Sequence, residues 1–188
     1  MERVYYTGID SPIGTIWAAA TESGLLQVNF PRPEAAFVAS LRRRIDAEIV
    51  YDPGRFDKLR GSMEAYFDGE RIVFEFPLDL RGTDFQKAVW LATHSIPYGR
   101  LSSYGRLAAA VGRPKAARAV GNAVGANSLA IVVPCHRVIR SDGSLGGFGG
   151  KPELKQYLLS LEGVLPRAEG AGIKHPSTRA DLRRYFIE

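Results

Sequence analysis

The chain has 188 residues but only one cysteine, Cys135, and three histidines. A lone thiol cannot close an internal disulfide or build a metal site of several cysteines. No apolar run approaches transmembrane length. The start, Met1-Glu2-Arg3-Val4, lacks the long apolar region of a signal peptide. One cysteine and no leader together point to a reducing, cytoplasmic setting. Internal repeats and low-complexity segments are absent as well.

What is present suits a soluble globular protein. Hydrophobic residues make up 45% and charged residues 24%. The length fits one compact domain or two small ones. The net charge of +5, with a pI near 9.5, permits a polyanionic partner without requiring one. Arg42-Arg43-Arg44 is the densest basic run, and it reads as a solvated helix face because nothing aromatic or glycine-rich accompanies it. Arg113, Lys115, Arg118, Arg137 and Arg140 are more telling, since all of them fall near the cysteine.

Residues 3–30 predict β structure: Val4–Tyr6, Thr15–Trp17 and Leu25–Phe30 alternate with Ser11-Pro12-Ile13-Gly14 and Glu22-Ser23-Gly24, which are turn chemistry. Helices are expected from Pro33 to about Ala47 and from Phe56 to Phe67, followed by a short strand at Ile72–Phe76. Beyond Arg81-Gly82 the pattern turns helical. Thr83-Asp84-Phe85-Gln86 fits a capping box, so a helix should start there and stop before Pro97. Ser102 or Ser103 can cap the next helix, and Gly112 is a natural stop for it. Pro114 is expected to open a third helix through about Ala126, giving the look of a helix-turn-helix.

On that third helix Ala117, Val120 and Val124 share the inward side, and Lys115, Arg118, Ala119, Asn122 and Ala126 the opposite one. Such a face is either an alanine-rich exposed surface or one able to approach a nucleic-acid groove, and spacing does not choose between them. The apolar run Leu129–Val133 then predicts a strand ending at Pro134-Cys135. Five of the eight residues from Gly143 to Gly150 are glycine, a composition that brings backbone N–H groups close to a ligand or merely connects. A last helix covers Pro152 to Leu161 with Leu154, Leu158 and Leu161 inward, and residues 167–188 read as an appendage.

The thiol is the chemical centre of this pattern. Thiolate is the reactive form, and a neighbouring imidazole or cation favours it. A Cys-His dipeptide alone is weak, because adjacent side chains on a strand point to opposite faces. The longer order is stronger: a basic small-residue helix, an apolar segment delivering Pro134-Cys135-His136-Arg137, then a glycine loop, all within about forty residues.

Arg118-Ala119-Val120-Gly121-Asn122-Ala123, Asn127 and Ile131-Val132-Val133-Pro134-Cys135-His136-Arg137-Val138-Ile139 resemble the O6-alkylguanine-DNA alkyltransferases. The resemblance runs from about Phe85 through Gly163. It implies an α+β fold: a small ribonuclease-H-like N-terminal domain over 1–80 and a mainly helical C-terminal domain over 81–166 with a DNA-binding helix-turn-helix. It also implies irreversible transfer of an alkyl group to Cys135 from O6-alkylguanine, with O4-alkylthymine as a second candidate substrate. The base must be flipped for this, since the alkylated atom is inaccessible inside the stack. By resemblance His136 relays the thiol proton through water and Glu162 orients the histidine. Tyr104 donates to the guanine and displaces its phosphate, and Arg118 enters the vacated stack from the minor groove. Asn127 braces the turn before the cysteine. Lys115, Ala119, Asn122 and Arg137 are expected to face DNA. The Cys135 and Val138 carbonyls accept from the guanine amino group, the Gly149 N–H reaches O6, and Phe148 walls the alkyl pocket.

Two departures from the family pattern stand out. Tyrosine is common where this chain has Phe148, and Gly149 replaces a small polar residue or alanine. Some relatives bind zinc in the N-terminal domain through cysteine and histidine. This chain has no cysteine there and no histidine before His94, so no metal and no cofactor are expected. The expected partner is double-stranded DNA, bound by a monomer, with no membrane role. Relatives that only sense damage carry tryptophan in place of the acceptor, and Cys135 argues against that class. A turnover cysteine hydrolase is the remaining rival.

Overall fold

Short apolar strands separated by turns organise the first part of the chain into a sheet. In this computed structural model, which describes residues 1–149, 151–166 and 182–187, β1 (Glu2–Ile9), β2 (Ile16–Thr21) and β3 (Gly24–Asn29) form an antiparallel meander. Helix α1 (Glu34–Arg44) follows, and β4 (Ala47–Tyr51) returns to pair in parallel with β1. The helix expected to reach Ala47 therefore ends three residues earlier and gives way to an edge strand. Val4, Ala19, Leu26, Phe37 and Leu41 form the buried cluster between sheet and α1.

Helix α2 (Asp57–Phe67) closes this part of the chain after a 3-10 turn at Pro53–Phe56. The strand expected at Ile72–Phe76 does not form; the contact shrinks to one bridge between Leu25 and Leu78. Pro77 supplies the reason, because it has no N–H with which to extend a ladder. Its carbonyl accepts from Leu25 N–H at 2.8 Å, so close to Gly24 that a Cβ there would sit 2.3 Å from the Pro77 oxygen.

The chain divides into two compact units, Met1–Arg81 with Ser128–Val132, and Gly82–Asn127 with Val133–Glu188. The second unit is built on three helices, α3 (Asp84–His94), α4 (Tyr104–Ala110) and α5 (Ala117–Gly125). The capping box is present: Thr83 Oγ1 accepts from Gln86 N–H at 3.2 Å, and Gln86 Oε1 accepts from Thr83 N–H at 3.0 Å. Ser103 caps α4 by accepting from Arg106 N–H at 3.2 Å. Helix α5 starts at Ala117 rather than Pro114, because residues 113–116 close a turn first, with Ala116 N–H donating to Arg113 O at 2.8 Å. Val89, Leu107, Ala108, Val120, Ala123 and Val124 pack the three helices together. The Trp90 indole N–H adds a bond to Ala123 O at 2.7 Å.

Two strand residues, β5 (Ser102–Ser103), pair in parallel with β6 (Val138–Ile139). Helix α6 (Pro152–Leu161) comes last among the helices. Its inward stripe is Lys155, Leu158, Leu159 and Glu162, with Leu154 and Leu161 only half-buried. The expected stripe was thus rotated by about one residue. Of the tail read as an appendage of unknown role, Leu182–Tyr185 forms a 3-10 turn in which Leu182 is buried; residues 167–181 and 188 lie outside the described residues. Among the described residues no helix is long and apolar enough to cross a membrane, and no group of three metal-ligating side chains occurs.

The reciprocal bonds at Thr83 make a local prediction. Thr83→Ala should cost about 1 kcal/mol of stability, as loss of an N-cap hydroxyl typically does. Urea denaturation monitored by circular dichroism would read the change as a lower midpoint at constant slope.

Candidate active site

The residues before Cys135 were expected to run as a strand and instead form successive tight turns. Ile131 has φ of 69°, unusual for a β-branched residue, and Val132 N–H bonds back to Ala130 O at 2.8 Å. Pro134 has φ −79° and ψ 66°, the geometry of an inverse γ-turn, and Cys135 N–H donates to Val133 O at 2.8 Å. Proline suits this position because its ring holds φ near that value. The chain then winds through a 3-10 turn, Cys135–Arg137, with Arg137 N–H on Pro134 O at 2.9 Å. A strand would have put Cys135 and His136 on opposite faces; a 3-10 turn does not impose that alternation. Asn127 Nδ2 donates to Val133 O at 2.9 Å and also hydrogen-bonds the Cys135 side chain. One amide thereby secures both the turn and the thiol.

A buried ionic cluster lies beside the thiol. Glu162, 5% exposed at the C-terminal end of α6, accepts from His136 Nε2 at 2.6 Å, from Arg137 Nε at 2.9 Å and Nη2 at 2.9 Å, and from Gly99 N–H at 3.1 Å. Arg137 Nη1 also donates to Ile96 O at 2.6 Å. Arg137 was expected to face DNA. It is 5% exposed and points inward instead. A buried carboxylate needs a permanent counter-ion, and the planar guanidinium supplies one while bonding both carboxylate oxygens.

Burial alone would push the Glu162 carboxyl up. His136 and Arg137 outweigh burial and hold it well below the usual carboxylate range. Burial lowers the His136 pKa, against the pull of Glu162. We take Glu162 as ionised and His136 as neutral, because Arg137 remains charged whatever the imidazole does. Ionised Glu162 can only accept, so Nε2 of His136 carries the proton and Nδ1 keeps the lone pair. The imidazole is thus set as a base through Nδ1.

Burial also pushes the Cys135 thiol up. Asn127, the Lys155 charge and the N–H groups of Cys135 and His136 oppose it without reversing it. The resting pair is therefore neutral thiol and neutral imidazole, and the proton must move before sulfur can attack. Although Cys135 keeps some accessible surface, it packs against the helical cluster.

Lys155 is a candidate site residue that the sequence reading missed. It is 1% exposed, and its ammonium donates to Val138 O at 2.6 Å and Leu145 O at 2.5 Å. Burial lowers its pKa to about 8, with the Cys135 charge opposing. Its contacts tie α6 to β6 and to the glycine loop. The signal available in the sequence was its spacing: Lys155, Leu158, Leu159 and Glu162 lie at i, i+3, i+4 and i+7.

The other expected residues divide by exposure. Lys115, Arg118, Ala119 and Asn122 all lie on the exposed side of α5 and the turn before it. Tyr104 opens α4, half-buried; burial and the neighbouring Cys135 charge raise its pKa. Its ring lies against Gly121 of α5, and a Cβ at Gly146 would come within 3.2 Å of its hydroxyl. Val138 is buried, with its carbonyl on Lys155. Phe148 is half-buried, with the Lys155 ammonium 5.9 Å from its ring centre. Gly149 is exposed at φ 54°, a backbone conformation that favours glycine. The arrangement suits a single nucleophilic transfer to sulfur, with one base, one orienting carboxylate and an exposed basic face nearby.

Comparison with known proteins agrees with this chemistry. Residues 84–164 match the family described as "6-O-methylguanine DNA methyltransferase, DNA binding domain", and residues 4–80 match "6-O-methylguanine DNA methyltransferase, ribonuclease-like domain". The methylated-DNA–protein-cysteine methyltransferase of Mycobacterium tuberculosis is 45% identical over 159 residues, covering 85% of this chain and 92% of the relative. The protein of the same name from Haemophilus influenzae is 39% identical over 165 residues, covering 87% and 89%. A crystal structure of the Mycobacterium tuberculosis OGT protein in complex with DNA superposes with a TM-score of 0.73 at 44% identity, covering 84% of this chain and 92% of that one.

The cluster around Glu162 carries a pH prediction. Its folded pKa lies below the ordinary value of 4.5, so the stability it confers is present above about pH 4.5 and is lost as the pH falls. Glu162→Gln should remove that acid-linked loss and cost about 3 kcal/mol at pH 7, as breaking a buried ion pair does. Urea unfolding at pH 7 and pH 4 would measure both effects.

Proposed function

The chain belongs to the 6-O-methylguanine DNA methyltransferase family, and from that premise we propose that it repairs DNA by moving the alkyl group of O6-alkylguanine onto Cys135, once per molecule. The observation that carries this reading is the buried hydrogen bond of His136 to Glu162 at 2.6 Å, on the turn that carries the Cys135 thiol.

In this mechanism the duplex lies against the exposed side of α5, entered through the minor groove, with Lys115 and Arg118 near its phosphates. Ala119 and Asn122 leave that face low enough for close approach. Arg118 fills the stack when the damaged base leaves it; a long planar cation can both stack and bond. Tyr104 faces the flipped base from the start of α4. The Val138 carbonyl has a second lone pair beside the one Lys155 uses, and this can accept from the base amino group. Phe148 and Gly149 border the alkyl group.

The Cys135 proton passes to His136 Nδ1 through a water. Sulfur attacks the alkyl carbon, the S–C bond forms and the C–O6 bond breaks. The base departs with the bonding electrons while the Tyr104 hydroxyl donates a hydrogen bond to the charge it gains. The resulting thioether has no leaving group for hydrolysis, so the protein is consumed. This reading takes one chain per lesion, as a monomer without a cofactor.

Intact mass spectrometry after mixing with an O6-methylguanine duplex should show a gain of one methyl group on Cys135. Cys135→Ser should gain nothing while keeping its DNA affinity. Binding without a mass change in the parent protein would instead favour a damage sensor.

The thiol's raised pKa makes the single-turnover rate climb with pH above neutrality. The climb should flatten as Lys155 loses its charge near pH 8. Lys155→Met should shift the profile to higher pH and slow transfer at pH 7 about tenfold, one pKa unit of thiolate. A quenched-flow pH series would check this.

A further inference from the structure

The last described segment packs where nothing in the family match predicts it. The matched region ends at residue 164, yet Leu182–Ile187 is integrated into the second unit. Leu182 is 4% exposed among Leu101, Ile139, Leu159 and Val164, with Tyr185 and Phe186 packed on the same cluster. Ile187 reaches a different cluster, the one that joins α3, α4 and α5 and against which Tyr104 and Cys135 also pack. Both backbone groups of Leu101, a residue with no exposed surface, are taken by this segment. Leu101 N–H donates to Tyr185 O at 2.8 Å, and Ile187 N–H donates to Leu101 O at 2.9 Å. Arg106 of α4 donates to Ile187 O, and its guanidinium lies 4.9 Å from the Phe186 ring centre.

What Leu101 supports gives these contacts their meaning. Ser102–Ser103 of β5 comes next, Ser103 caps α4, and the first residue of α4 is Tyr104. Strand β5 pairs with β6, and β6 directly follows the Cys135–Arg137 turn. One short segment therefore backs both the strand that launches Tyr104 and, through the pair, the strand that leaves the cysteine turn. We infer that Leu182–Ile187 is a positioning strap that holds Tyr104 in register with Cys135 for the transfer step, with Phe186 and Ile187 as its positioning residues. The strap acts through α4 and β5, without touching the base. An error of about 1 Å in such an alignment is enough to slow a reaction a hundredfold.

The inference rests on the alkyl-transfer reading, and the two fail differently: if that reading fails, the full-length protein gains no methyl group at all. A chain ending at Asp181 and full-length Phe186→Ala and Phe186→Tyr variants would be compared with the parent, each well below its own unfolding temperature. Single-turnover methyl transfer from an O6-methylguanine duplex and affinity for unmodified duplex are the two readouts. The strap predicts transfer about tenfold slower in the truncated chain and in Phe186→Ala, with affinity within about twofold of the parent and the rate restored in Phe186→Tyr. A synthetic peptide of residues 182–188 should raise the rate of the truncated chain. Parental transfer rates in Phe186→Ala, or transfer and affinity falling together, would overturn the inference. If the truncated chain does not fold, the Phe186 pair decides by itself.

Discussion

The Glu162 carboxylate is the constraint on which the second unit turns. It is 5% exposed, and burying an ion without partners costs far more than a folded domain can spare. Three donors therefore have to converge on it from two stretches of chain: the His136 imidazole and the Arg137 guanidinium from one turn, and the Gly99 backbone from another. Meeting that requirement sets the direction of α6, the inward turn of Arg137 and the tautomer of His136 together. The imidazole is a base through Nδ1 because the charge balance around Glu162 leaves it neutral. The arrangement proposed for catalysis thus also satisfies one buried charge.

Lys155 extends the same logic two turns earlier, on α6. Its ammonium ties Val138 and Leu145 together, one on each side of Arg140 and the start of the glycine loop. A cation here favours thiolate on Cys135, but burial weakens its hold on its own proton. The buried Lys155 of α6 and the buried Glu162 just beyond its end therefore have distinct tasks in the proposed mechanism. In the proposed reaction Glu162 sets the base, and Lys155 tunes the nucleophile.

Local chemistry was legible residue by residue. The strands of β1 to β3 with the turns between them, the Thr83–Gln86 capping box and the Ser103 cap depend on neighbours within a few positions, and the structure contains them. The exposed side of α5 was readable for the same reason, since Val120 and Val124 mark the opposite face. Apolar runs were less informative. Leu129–Val133 reads as a strand by composition, yet a strand requires a ladder along its length and this run contributes one isolated bridge, at Leu129. Its residues are buried as turns. The inner face of α6 was misread because polar residues are normally assigned to solvent; here Lys155 and Glu162 go inward, where each finds its partners.

The sequence by itself determined which groups carry the chemistry. The one thiol, the histidine beside it and the proline before it are adjacent in the chain, and short-range order is enough to recognise them. Tertiary structure alone decided how those groups are charged and aimed. Glu162 lies 26 residues from His136 and 63 from Gly99, and the strap at Leu182–Ile187 meets Leu101 and Arg106 from the far end of the chain. Protonation state depends on burial and on partners brought together by folding, and neither is written in local spacing.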